Sequence, residues 1–204
     1  MRLLIRRTKN GSRSRSRSHS FSQTKWLSHV NGVQASPQLR VWLTDSMSLT
    51  QKLIARCGRF RVQRLAQQHA LALADEFAEV DLRRRTQVQE REVLLRCDEK
   101  PVVYAHTIVP LSATASDWPF FGRLGERSLG STLFGDPRVT RGELQYARLH
   151  AQHPLVLRAA AALGFALHGT LFARRCLYKR GNGLLLVTEV FLPEITNIRQ
   201  SPRA

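Results

Sequence analysis

The sequence is easiest to approach through what it lacks. It contains no GxGxxG, GxxxxGK[ST], GxSxG or HExxH pattern, which removes the common nucleotide-binding, serine-hydrolase and zinc-protease readings. No apolar run approaches the ~18 residues of a membrane-spanning helix. Only three cysteines occur, Cys57, Cys97 and Cys176, with no CxxC or CxxxC spacing. They read as buried small hydrophobes in a reducing compartment, and neither a disulfide framework nor a zinc site is expected. His150 and His153 stand three apart, but no third ligand follows at a metal-site spacing, so no metal is expected. Aromatic residues make up 7% of the chain and rarely alternate with basic ones, which argues against a base-stacking platform for nucleic acid.

What is present is a chain of 204 residues, 43% apolar, enough for one core and one domain. The net charge is +17, a value that alone suggests nucleic acid or an acidic surface. The charge is unevenly placed, however. The first acidic residue is Asp45, and nine Lys/Arg precede it, leaving 23 against 15, or +8, for the rest. Such a body suits a small anionic ligand equally well. Residues 1–36, with the tract RSRSRSHS, are too polar to bury and read as a disordered Arg/Ser-rich extension. An extended translation start on a bacterial-type enzyme is the preferred account of it, ahead of a transit peptide or an RNA-binding tail. Residues 37–198 read as the folded domain.

Within that domain, Pro37 is suited to opening a short helix with Leu39, Val41, Trp42 and Leu43 on its apolar side. Asp45 or Ser46 can cap a second helix carrying Leu49, Leu53 and Ile54, ended by Gly58. Residues 59–73 begin as a strand and are open to a helical end. Two hairpins give the clearest signals: residues 88–97 and 102–111 around Asp98-Glu99-Lys100-Pro101, and residues 173–193 around a Gly-Asn-Gly turn. A short helix through 125–135, a strand at 139–149 and an Ala-rich helix or loop at 153–164 complete the pattern. Hairpins with grouped helices imply an α+β fold on an antiparallel sheet.

The chemistry resides in charged residues set inside strands: Arg91, Arg174, Arg175 and Glu189. For the arginines a solvated face or an edge gatekeeper is the commoner explanation. Glu189 is different. Alternation puts it on one face with Leu185, Val187 and Phe191, so it is either a stray surface carboxylate or part of a cavity.

The stretches WLTDSMSLT (42–50), REVLLRCDEKPVVYAHTIVPL (91–111), GERSLGSTLF (125–134) and ARRCLYKRGNGLLLVTEVFLP (173–193) follow one another in an order that resembles the bacterial chorismate pyruvate-lyase family. The resemblance implies a sheet of about six antiparallel strands with helical flaps over a buried ligand site. It also implies a monomeric cytoplasmic lyase that removes pyruvate from chorismate to give 4-hydroxybenzoate for ubiquinone synthesis. No cofactor, membrane or nucleic acid takes part, and a tightly enclosed product should inhibit. The product site it implies falls on Met47, Arg91, Leu129 and Glu189, with Arg91 and Glu189 the catalytic pair. Arg91 would hold the ring carboxylate, helped by backbone N–H groups near Met47 and Leu129, and Glu189 the 4-hydroxyl. Arg174, Arg175 and Lys179 are the candidates for the enolpyruvyl carboxylate.

Two other readings compete: a non-catalytic relative that binds an aromatic acid, and a nucleic-acid-binding protein acting through its basic tail. Incubating the purified chain with chorismate and no added metal separates them. The lyase reading expects 4-hydroxybenzoate and pyruvate in equal amounts, and the other two expect neither.

Overall fold

The computed structural model describes residues 24–45 and 47–198. The RSRSRSHS tract, with everything up to residue 23, lies outside the described residues, as does Ser46. Six strands, β1 (Phe60–Leu71), β2 (Gln87–Cys97), β3 (Lys100–Pro110), β4 (Val139–Leu149), β5 (Leu171–Arg180) and β6 (Gly183–Phe191), form one sheet in the order β1-β2-β3-β6-β5-β4. Every neighbouring pair is antiparallel. Four helices accompany it: α1 (Pro37–Leu43), α2 (Leu49–Ile54), α3 (Leu129–Gly135) and α4 (Pro154–Leu163). The expected α+β class and antiparallel sheet are what the chain adopts.

Local chemistry explains most element ends. The Ser36 hydroxyl accepts the Leu39 N–H, with Pro37 opening α1. The cap of α2 is Ser48, whose hydroxyl accepts the Gln51 N–H. Asp45, an expected cap, instead accepts the Met47 N–H and pairs with Lys52 at 2.7 Å. The expected four-residue turn between β2 and β3 is shorter, with only Asp98 and Glu99 at its centre. Both have positive φ, 49° and 65°, as a primed two-residue turn requires. Pro101 therefore lies inside β3, tolerated because the register shifts between Leu95 and Arg96 opposite it. In the β5–β6 turn, Gly181 supplies the positive φ of 58°. The open question over residues 59–73 resolves as strand, since β1 pairs with β2 along its whole length.

Side-chain alternation gives the sheet two faces of different character. On the front, two apolar clusters form. One joins Trp42, Leu43, Leu49 and Leu53 from α1 and α2 to Val62, Val93 and Leu95. The other joins Trp118, Phe121 and Leu124 of the 111–128 segment, with Leu129 and Leu133 of α3, to Tyr178 and Leu185. Between them lies a gap.

On the back, α4 covers Leu94, Tyr104 and Val190, and beside it sits a buried ionic cluster. His106 is 1% exposed; its Nε2 lies 3.2 Å from Glu76, and its Nδ1 3.5 Å from Glu92 and 3.8 Å from Glu90. Arg158 Nη1 bridges Glu90 and Glu92 at 2.6 Å each. Glu90, Glu92 and His106 bring ligand-type atoms within 4.8 Å of one another, but the Arg158 guanidinium already occupies both carboxylates. Burial alone would lower the His106 pKa; the Glu76 charge and hydrogen bond, the Glu92 hydrogen bond and the Glu90 charge outweigh it and raise the value to about 10.

Two expectations need correction. Cys57 and Cys97 form a disulfide with a Cα–Cα distance of 5.2 Å. They are far apart in sequence, but Asp98 N–H donates to Arg59 O at 2.9 Å, bringing the start of β1 beside the end of β2. In the chain-entropy account, closing that loop is worth about 4 kcal/mol. Cys176 is free and buried, as expected. The packed chain also begins before residue 37. Leu27 bridges Tyr146 through two backbone hydrogen bonds of 2.8 Å, and Val30 and Val33 are 6% and 1% exposed in the front core.

A chain truncated to begin at Pro37 should therefore lose a few kcal/mol of stability relative to one beginning at residue 24, at about 1.5–3 kcal/mol for each buried valine; thermal unfolding measures the difference. The back-face cluster predicts a pH effect. Because the folded His106 pKa lies above the unfolded 6.5, its contribution is complete below pH 6.5 and fades as pH rises through about 10. Denaturant midpoints measured between those values should fall in the wild-type chain, with a smaller fall in His106→Gln.

Candidate functional site

The gap between the two front clusters is a cavity with about 640 Å³ not filled by protein atoms, counting its opening to solvent. Its floor is the centre of the sheet. One row runs Arg91, Thr107, Val187 and Cys176 across β2, β3, β6 and β5. The next row along runs Val93, Ala105, Glu189 and Arg174. Its roof is α2, its preceding loop and α3, from which Met47 and Leu129 reach the lining. The roof halves meet closely. Thr50 Oγ1 and Ser128 Oγ are 2.7 Å apart, and a Cβ at Gly130 would come within 3.0 Å of Ser48 Oγ.

All four residues expected from the sequence thus line one cavity. Arg91, on β2, the second strand from the β1 edge, is 2% exposed. One Nη donates to Gly125 O at 3.0 Å and Arg127 O at 2.9 Å, which fixes the guanidinium to the loop before α3. Its Nε is buried without a hydrogen-bond partner. Burial, with Arg64 nearby, lowers its pKa to about 10, so it stays charged at neutral pH. Three arginines are almost fully buried: Arg91, Arg174 and Arg175. Arg174 pairs with Glu189 and Arg175 with Glu79; Arg91 has no carboxylate partner among the described residues. A desolvated cation without a counter-ion is costly, and a ligand carboxylate would relieve that cost.

Glu189 faces the cavity on the side that alternation gave it, two strands from Arg91, about 10 Å at ordinary strand spacing. Arg174 Nε donates to its Oε2 at 2.5 Å, while Arg174 Nη1 donates to the carbonyls of Trp42, Leu43 and Asp45 at 3.1, 3.2 and 2.8 Å. One guanidinium thereby fixes the carboxylate and the C-terminal end of α1. Met47 is 64% exposed at the cavity mouth, and its N–H is already donated to Asp45; a backbone anion contact from it requires that bond to break.

Of the three cations considered for a second carboxylate, only Arg174 faces the cavity. Arg175 points to the back, donating to Gln145, Asp75 O and Glu79 over the Trp26 ring. Lys179 is exposed and of the same strand parity as Arg175. Sequence reasoning missed Arg141, which does line the cavity. The pairing register shifts between Arg141 and Leu144, and Gly142 inside the strand pattern was the local signal that could have announced it. Cys176 lines the floor as well, its thiol pKa pushed up chiefly by burial.

The described residues form an α+β fold, a six-stranded antiparallel sheet whose front face and overlying helices α2 and α3 enclose a small cavity lined by three arginines and one glutamate. Comparison with known proteins sharpens this. A family model described as chorismate lyase matches residues 21–200. A relative from Ralstonia nicotianae named "probable chorismate pyruvate-lyase" is 50% identical over 157 residues, covering 76% of this chain and 80% of its own. A protein of the same name from Dechloromonas aromatica is 42% identical over 179 residues, covering 88% and 100%. The chain belongs to the chorismate lyase family. Among solved structures, the C-terminal domain of the histidine utilization repressor from Pseudomonas syringae pv. tomato aligns at a TM-score of 0.52 with 13% identity, covering 72% of this chain and 99% of that domain. That likeness concerns the fold alone.

Proposed function

We propose that this chain is a chorismate pyruvate-lyase, converting chorismate to 4-hydroxybenzoate and pyruvate. The observation that carries the reading is Arg91: a buried cation with no acidic partner among the described residues, across the cavity floor from a carboxylate held in place by Arg174. Family membership supplies the substrate class. Such a cavity suits a small ring with a carboxylate at one end and a hydroxyl at the other.

In the reaction the C3–O bond of chorismate breaks, the C4–H bond supplies the electrons that complete the aromatic ring, and enolpyruvate departs to become pyruvate on protonation. Aromatisation makes the step downhill, so the protein's task is orientation and charge compensation in a dry site. Arg91 binds the ring carboxylate in a charge-assisted ion pair that anchors that end of the ring. Glu189 accepts a hydrogen bond from the 4-hydroxyl and pushes electron density into the ring as it aromatises. Arg174 is a positioning residue, acting through Glu189. Leu129 and the apolar floor residues Val93, Ala105 and Val187 exclude water, and the flaps cover the ligand. The product keeps both the carboxylate and the hydroxyl, so the same two anchors retain it, and product inhibition follows. A role in ubiquinone biosynthesis is part of the same reading.

Arg91→Ala should weaken 4-hydroxybenzoate binding and lower kcat/KM together, each by about 10²–10³-fold, the cost of leaving a buried carboxylate unpaired. Glu189→Gln should lower kcat by more than it weakens product binding. Steady-state kinetics beside calorimetric titration of 4-hydroxybenzoate provides both readings; unchanged product affinity in Arg91→Ala would remove Arg91 from the carboxylate site.

A further inference from the structure

The proposed substrate carries two carboxylates and the product one, so the cavity must offer the substrate a second cationic contact. The charged side chains lining it are Arg91, Arg141, Arg174 and Glu189, a net charge of +2. That balance matches a dianion and leaves an excess of +1 over a monoanion. Arg174 holds Glu189 through its Nε and three carbonyls through its Nη1, Arg91 is assigned to the ring carboxylate, and Arg141, beside the Tyr178 and Cys176 side chains, is the third cation of the lining. We propose that Arg141 holds the enolpyruvyl carboxylate, and so distinguishes substrate from product; the assignment rests on the chorismate reading above.

The local structure is built to present this residue. Arg141 pairs in register with Tyr178, then β4 bulges before Leu144 resumes pairing with Cys176. A bulge re-aims the side chains around it. The bulge is packed tightly: a Cβ at Gly142 would come within 3.0 Å of Leu177 O, and the Cys176 thiol donates to Gly142 O at 3.3 Å. The Arg141 guanidinium lies 5.6 Å from the centre of the Phe134 ring on α3, and Phe134 is 44% exposed. Arg141 therefore stands where the floor meets the flap at the open side of the cavity. A side arm on the ring carbon next to the hydroxyl-bearing one extends sideways from the line joining Arg91 to Glu189. Its carboxylate there meets a cation that the product never uses.

The test compares Arg141→Gln and Arg141→Lys with the wild-type chain. In Arg141→Gln the KM for chorismate should rise about 10- to 100-fold, the range for losing one hydrogen-bonded ion pair, while the inhibition constant of 4-hydroxybenzoate stays within about twofold. Arg141→Lys should recover most of the loss, and the retained 4-hydroxybenzoate affinity shows that both variants are folded. An unchanged KM, or a parallel loss of 4-hydroxybenzoate affinity, overturns the proposal. Should the wild-type chain leave chorismate unchanged, the lyase reading itself fails. Calorimetric binding of chorismate and 4-hydroxybenzoate then still decides the charge assignment, since selective loss of chorismate binding in Arg141→Gln supports it and equal binding refutes it.

Discussion

The Arg174–Glu189 pair is the interaction on which the site depends. Arg174 is 2% exposed and joins three parts of the protein: strand β6 through the carboxylate, the end of α1 through the Trp42 and Leu43 carbonyls, and the loop before α2 through Asp45. A buried pair of this kind stabilises little by itself and is costly to break on one side. Here it sets geometry. The group proposed to act on the hydroxyl is fixed by the same side chain that fixes the base of one flap, so the carboxylate and the roof are placed together.

The sheet separates two uses of buried charge by strand parity alone. Odd-numbered positions of β2 carry Arg91 to the cavity, while Glu90 and Glu92 turn to the back and meet His106 and Arg158. On β5 the neighbours Arg174 and Arg175 divide the same way. The back cluster satisfies its own charges and supports the middle of the sheet; the front leaves Arg91 without a carboxylate partner among the described residues. That asymmetry marks which face handles ligand.

Much of this was legible in the sequence because it depends on short-range rules. The hairpins followed from turn residues, and Glu189's face followed from alternation. What stayed hidden depends on long-range register. Cys57 and Cys97 pair only because β1 starts where β2 ends. Glu76 reaches His106 from a loop, and Arg158 reaches Glu90 and Glu92 from a helix, both distant in sequence. Arg141 faces the cavity beside a bulge that breaks the simple alternation of β4. Pro101 and the two-residue turn show the same effect on a smaller scale, as pairing with β2 drew into the strand two residues whose chemistry suggested a loop.

The disulfide changes how the roof can move. Helix α2 is tied upstream by the Arg174 bonds to Trp42, Leu43 and Asp45, and downstream by the covalent link from Cys57 to Cys97. A segment anchored at both ends behaves as a strap rather than a hinged door. Passage in or out then falls to the seam between α2 and α3, where one hydroxyl pair, Thr50 and Ser128, spans the join at 2.7 Å and Gly130 permits the close approach. Opening that seam parts two neutral hydroxyls, a contact weak enough to break without unravelling either helix.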